Sequence, residues 1–342
     1  SRRARLNGNE AMPYTELLSR TGRILWRHKS LSLLGLGYVI GGGIIGLIMQ
    51  IWSATNPMSA FFRTMTSAPE PERFLFDQFT IWTQPLNLVL AVVAIFAYTL
   101  LVWILAAISE ASLIQAVAAE TAGRPLQLSG LLRAAWHSLG RLIAIDTLVY
   151  FPLFLVSLAI LLISSGGLIG FILYVSAGSV TQEWLIIGGM AIWLLLMVLF
   201  FASFLIGLVT VFIRQLAFRA AVLNDLPLRP AIRHAVTLFR RHWLQMLAVL
   251  LLIYAISQVI GMLVGFLAMP AQMFNMFRIM QLSSGPTPPD PFIFLEQPLL
   301  VHVWMILVTL AGLAVSTLTT TFSSVFWTLC YQHWDRHDTD RD

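Results

Sequence analysis

Apolar residues fall into six stretches, near 31–52, 86–108, 142–163, 184–212, 244–268 and 299–322, with most polar residues gathered between them. A crossing of about 30 Å of hydrocarbon takes roughly 20 consecutive apolar residues, so six transmembrane helices are predicted. Ahead of the first, third and fifth stretches the pattern changes to a helical period with one polar face. In TELLSRTGRILWRHK, Leu17, Leu18, Thr21, Ile24, Leu25 and His28 fall on one side of a helix, and Arg20, Arg23 and Arg27 on the other. LSGLLRAAWHSLGR repeats the layout with fewer charges. In IRHAVTLFRRH, Ile232, Ala235, Val236 and Phe239 make the apolar face against Arg229, Arg233, Arg240 and Arg241. Pro227 and Pro230 stand where a first helical turn tolerates proline. The three amphipathic segments centre on Trp26, Trp136 and Phe239, roughly 105 residues apart. These rings are placed as interfacial anchors, an apolar body with a polar edge being stable at headgroup level.

The second, fourth and sixth apolar stretches also end alike. They run on into SEASLIQAVAAE, RQLAFRAAVLND and WTLCYQHWDRHD, each expected to continue as helix beyond the membrane and to stop near an acid. Residues 1–342 therefore read as a single membrane domain of three repeats, approximately 12–120, 121–225 and 226–335. Each repeat is an interfacial amphipathic helix, a transmembrane hairpin and a helical extension. Three connections between the paired spans differ: 53–85, a short SSGGLIG-containing link near 164–183, and 270–297 with the turn-rich SSGPTPPDP.

Composition places the chain in a membrane independently of the pattern. It is 58% hydrophobic and 11% charged with a mean hydropathy of +0.81, too apolar for a soluble domain. Of the 21 basic residues, 18 fall in the N-terminal segment, the links after spans two and four, and the C-terminal tail. The opposite side has Arg63, Arg73 and Arg278 against Glu70, Glu72, Asp77, Glu183, Asp290 and Glu296. The positive-inside rule then puts both termini in the cytoplasm. No short apolar segment with a small-residue cleavage site precedes the first span, which is expected to be its own insertion signal. The net charge of +5 describes a basic rim facing anionic lipid headgroups. Nucleic-acid binding is not expected, because the basic residues flank spans and do not gather in a separate domain. One cysteine, Cys330, excludes a disulfide within the chain and is expected as a reduced, buried thiol.

Candidate chemistry is confined to a few polar residues near the spans. Glu110, Arg141, Asp146 and Arg214 lie at similar depth toward the basic side, where ionisable groups are costly and usually paired. A relay through them would define a transporter; an ion-pair clamp between helices is the preferred reading. Ser316, Thr317, Thr319, Thr320, Thr321, Ser323 and Ser324 are expected to bond helix backbone, and the glycines at 35, 37, 41, 42, 43 and 46 to let helices approach closely. Met269, Met273, Met276 and Met280 fit an apolar helical stripe better than a soft-metal site. His333 and His337, one turn apart beside Asp335 and Asp338, have a zinc-compatible spacing but fit a solvated, fraying tail better. No Walker loop, dinucleotide fingerprint, HExxH or nucleophile elbow is present. No cofactor or metal and no enzymatic activity are expected.

The segments YTELLSRTGRILWRHKSLSLLGL, RPAIRHAVTLFRRHWLQML and TTTFSSVFWTLCYQHW resemble a poorly characterised multi-pass family that includes the membrane domain attached to some glycerophosphoryl diester phosphodiesterases. The resemblance covers nearly the whole chain through loose patterns. It implies a bacterial plasma-membrane protein with a six-span helical core. About 20 residues follow the sixth apolar stretch, so the phosphodiesterase domain is expected to be absent and its activity is not carried over. The expected function is a non-catalytic membrane scaffold or accessory subunit that organises anionic lipid, a membrane-protein partner or a second copy of itself. The alternative is a small-molecule or lipid transporter with a cavity among the repeats.

Overall fold

The computed structural model describes residues 14–54, 84–176, 182–283 and 298–339. They form seven α-helices: α1 (Tyr14–Arg27), α2 (Leu31–Ala54), α3 (Pro85–Thr121), α4 (Leu128–Ser176), α5 (Gln182–Leu223), α6 (Leu228–Ser283) and α7 (Leu299–Thr339). Five of them, α3 to α7, are long and apolar enough to cross a membrane. The chain is thus an all-α, membrane-embedded, multi-pass protein. The first apolar stretch forms the 24-residue α2.

Two links come out shorter than the sequence pattern predicts. SSGGLIG is helical, because α4 continues through it to Ser176 and α5 begins at Gln182. Likewise α6 continues to Ser283, with Met269, Met273, Met276 and Met280 exposed along it. In hydrocarbon every amide must find its partner within the segment, which holds even a glycine pair in the helix. Ser164 and Ser165 follow suit, donating to the Ile160 and Leu161 carbonyls. The C-terminal tail also stays helical, through Thr339, with Trp334 buried. The connecting residues 55–83 and 284–297, with Arg63, Arg73, Glu70, Glu72, Asp77, Asp290 and Glu296, lie outside the described residues, as does 1–13.

At 1.5 Å per residue the 41-residue α7 is about 60 Å long, twice the hydrocarbon thickness. Burial is concentrated outside the most apolar stretches of these long helices. In α3 it falls on Ala107, Ser109 to Ile114, Ala116 and Val117. In α5 it falls on 216–221, and in α7 on 324–331 with Trp334. By contrast, none of the most apolar 18-residue window of α3 or of α5 is buried within the chain. The physical cause is the solvent: apolar surface is driven together in water, whereas lipid tails are as apolar as leucine and supply no such drive. Alanines 111, 116, 217, 220 and 221 are among the buried residues of these extensions.

The helices fall into two compact units, Ser1–Trp136 with Ala248–Leu329, and His137–Leu247 with Cys330–Asp342. In the first unit α2 packs along α3. A Cβ on Gly35 would lie 2.9 Å from the Thr317 carbonyl oxygen and against Thr321 Oγ1, and one on Gly37 would meet Ser109 Oγ. Thr317 and Thr321 donate their hydroxyls to the Leu313 and Thr317 carbonyls one turn back. These hydroxyls are thereby committed to the helix. Farther along this unit, Pro270 brings no N–H to the α6 ladder and crowds the turn before it. The Leu267 carbonyl of that turn accepts a bond from Trp304 Nε1 at 2.8 Å.

Candidate functional site

Polar side chains of the second unit meet where α4, α5 and the first turns of α6 come together with the end of α7. Arg214 Nε donates to Asp146 Oδ1 at 2.6 Å, and Nη2 approaches Oδ2 at 3.5 Å. The two side chains are only 8% and 3% exposed. The guanidinium also lies 4.3 Å from the Phe218 ring centroid, a cation–π contact that a planar cation makes well. Charge-assisted, two-point pairing of this kind is the form in which opposite charges tolerate burial. One turn further, Arg219 is fully buried and donates Nη1 to the Gln215 carbonyl at 2.6 Å and to its Oε1 at 2.5 Å. Hydropathy gives no hint of that arginine; the alanines around it, in LAFRAA, are the one local sign of a tight contact.

Arg141 is directed to the end of α5. Its Nη1 donates to Asp225 Oδ1 at 2.8 Å and to the Ala221 and Leu226 carbonyls at 3.1 and 3.0 Å. A cation placed over the last carbonyls of a helix satisfies acceptors that the ladder leaves open and complements the dipole. It also braces a turn in which Asp225 takes a positive φ of 50°. Glu110 is buried within α3 and belongs to the first unit.

A third polar group joins α6 to the end of α7. His234 Nε2 lies 3.0 Å from Asp335 Oδ1, and Asn224 Nδ2 donates to Tyr331 Oη at 3.0 Å and to Asp335 Oδ2 at 3.3 Å. Trp334 Nε1 donates to Gln245 Oε1 at 2.8 Å, and its ring stacks near His242 with centroids 6.1 Å apart. His242 has non-helical angles, φ −122° and ψ 19°, and marks the kink at which the amphipathic part of α6 gives way to the apolar part. Cys330 is buried beside this group.

In the first unit the corresponding polar contact is made by Glu120. His28 Nε2 meets its Oε2 at 2.9 Å, and Arg27 Nη1 its Oε1 at 3.5 Å. The acids that close α3, α5 and α7 thus each bond a base from an amphipathic segment that precedes them: His28 and Arg27 to Glu120, Arg141 to Asp225, His234 to Asp335. The sequence signal was the acid near the end of α3, α5 and α7; its partner was not legible. Trp26 and Trp136 are 80% and 63% exposed, whereas Phe239 stacks on Phe212 with centroids 5.6 Å apart.

Asp335 lies 13 residues beyond the apolar stretch that ends near 322, about 20 Å along the helix. The hydrogen bond from His234 holds its carboxyl below the usual carboxylate range, assisted by Asn224 and opposed by burial. A depressed carboxyl contributes stability above its unfolded value, near 3.9, and loses it as pH falls through the lower folded value. Thermal melts of the detergent-solubilised protein are therefore expected to drop below pH 4, and Asp335→Asn to flatten that part of the profile. An unchanged profile in the variant would show the contact to be without consequence for stability.

These contacts tie helix ends together. No family model, curated protein or solved structure matches the chain.

Proposed function

We propose that the protein is a non-catalytic, multi-pass scaffold or accessory subunit of a bacterial plasma membrane, with α2 as a sixth span and both termini cytoplasmic. The acid–base contacts at the ends of α3, α5 and α7 would then close three successive repeats on the cytoplasmic side. The observation that carries this reading is the bareness of α3 and α5. Over their most apolar windows neither is covered by its own chain, leaving faces such as Val93, Phe96, Trp193 and Phe201 open. Helices in lipid associate through close packing and polar contacts; uncovered faces are surface available to another membrane protein or a second copy.

A photo-crosslinking residue at Phe96 or at Phe201, activated in native membranes, tests this. The expected result is a discrete protein adduct, either a dimer or one partner of fixed mass. Lipid adducts alone, at both positions, would overturn the scaffold. A transporter is the second reading, favoured by the buried Asp146–Arg214 pair within a span-bearing region.

A further inference from the structure

We infer that the second unit holds one anionic phospholipid, with an acyl chain in a groove between α4, α5 and α6 and its phosphate on arginines of α6. The groove has a volume of about 460 Å³ and is walled by Leu148 and Pro152 of α4, Val209 and Ile213 of α5, and Ile232 and Val236 of α6, with Thr210 its single hydroxyl. It runs from Ile213 to Leu205 on α5, eight residues or about 12 Å of helix. The three helices have apolar windows that are at most 11% buried within the chain, so on the membrane reading this open, apolar channel faces lipid. An acyl chain is the occupant that medium supplies.

The headgroup assignment comes from the α6 wall. Arg229, Arg233 and Arg240, spaced four and seven residues apart, form one stripe along the helix, and Val236, at the edge of the apolar face, lies three residues from Arg233 and four from Arg240 beside it. Val236 adjoins that stripe and belongs to the groove wall, so the arginines border the groove along its α6 side. All three are exposed. Among the described residues none of them has an acidic partner, in contrast to Arg27, Arg141 and Arg214. Guanidinium forks match phosphate oxygens two at a time, so a phosphate at the groove's basic edge would complete them. A net negative headgroup is preferred over a zwitterionic one because three positive charges face it with no carboxylate among them.

This site rests on the membrane reading above and names the lipid such a scaffold would retain. The test uses the full chain in nanodiscs of equal phosphatidylglycerol and phosphatidylethanolamine, released into detergent and weighed by native mass spectrometry. The wild type is expected to keep about one phosphatidylglycerol per chain and to prefer it to phosphatidylethanolamine by about tenfold, the ratio that a single well-made contact set supplies. Val236→Trp and Val209→Trp, which fill the groove from different walls, should each abolish retention. R229Q/R233Q should equalise the two lipids, and Val198→Trp, on an exposed α5 position outside the groove, should change nothing. Two independent groove variants guard against one that merely fails to fold. Equal retention of both lipids by the wild type, or retention by both filled-groove variants at the level of Val198→Trp, would overturn the site. Either result would leave the crosslinking at Phe96 and Phe201 to judge the scaffold separately.

Discussion

Asp146→Ala is expected to cost about 3–5 kcal/mol of stability, because it strands the Arg214 guanidinium in a site where that side chain is 8% exposed. The converse variant, Arg214→Met, should cost a similar amount by stranding the carboxylate. The double replacement Asp146→Leu with Arg214→Met should recover most of the loss. Removing both charges leaves a packed apolar contact against Phe218, and buried pairs are often replaced by hydrophobic residues at little net cost. Thermal unfolding of these four proteins and of Asp146→Asn in one detergent decides the matter. The outcome that defeats the clamp is Asp146→Asn as stable as the wild type, since a carboxylate kept for proton or substrate transfer has no need to hold the helices together.

Gly35→Val should be the most damaging single change in the first unit. The new side chain would meet a backbone oxygen, that of Thr317, which cannot rotate away, as well as the Thr321 hydroxyl. Overpacking of a tight contact costs about 1–3 kcal/mol when neighbours can adjust, and here one neighbour is a helix backbone. Gly35→Ala should fall in that range, whereas Gly22→Ala, with nothing within 4 Å of the added methyl, should be neutral or slightly stabilising. Adding Thr321→Ala to Gly35→Ala should recover only part of the loss, because the carbonyl contact persists. Full recovery would show that α2 can shift as a rigid body and that the carbonyl does not set the approach distance.

Helix positions were legible because hydropathy reports the environment a segment needs, and a span of 20 apolar residues has few other uses. The core was much less so. In lipid-facing stretches such as LVLAVVAIFA of α3 the sequence is apolar on every side, so it carries no periodic mark of which face packs. The densest burial lies instead in ASLIQAV, LAFRAAV and VFWTLCY, where alanines, a buried arginine and a lone cysteine dilute the hydropathy. Among the candidate polar residues, Asp146 and Arg214 meet because depth in the membrane and helix order bring them level. Arg141 went to the α5 terminus because unsatisfied carbonyls there compete for the same cation. No hydrophobic pattern records that competition. The glycines of α2 were readable as contact positions from spacing, but only the structure shows that Gly35 meets a backbone and Gly37 a side-chain hydroxyl.

The three terminal ion pairs have a consequence for biogenesis. Each joins residues 84 to 101 apart, and in each the acid is the later member. Translation at about 5–20 residues per second delivers such a stretch in roughly 5–20 s. His28 can find Glu120, Arg141 can find Asp225, and His234 can find Asp335 without waiting for any segment still inside the ribosome. Each of these helix ends can then close as its acid emerges, while the contact of Gly35 with Thr317 waits for α7.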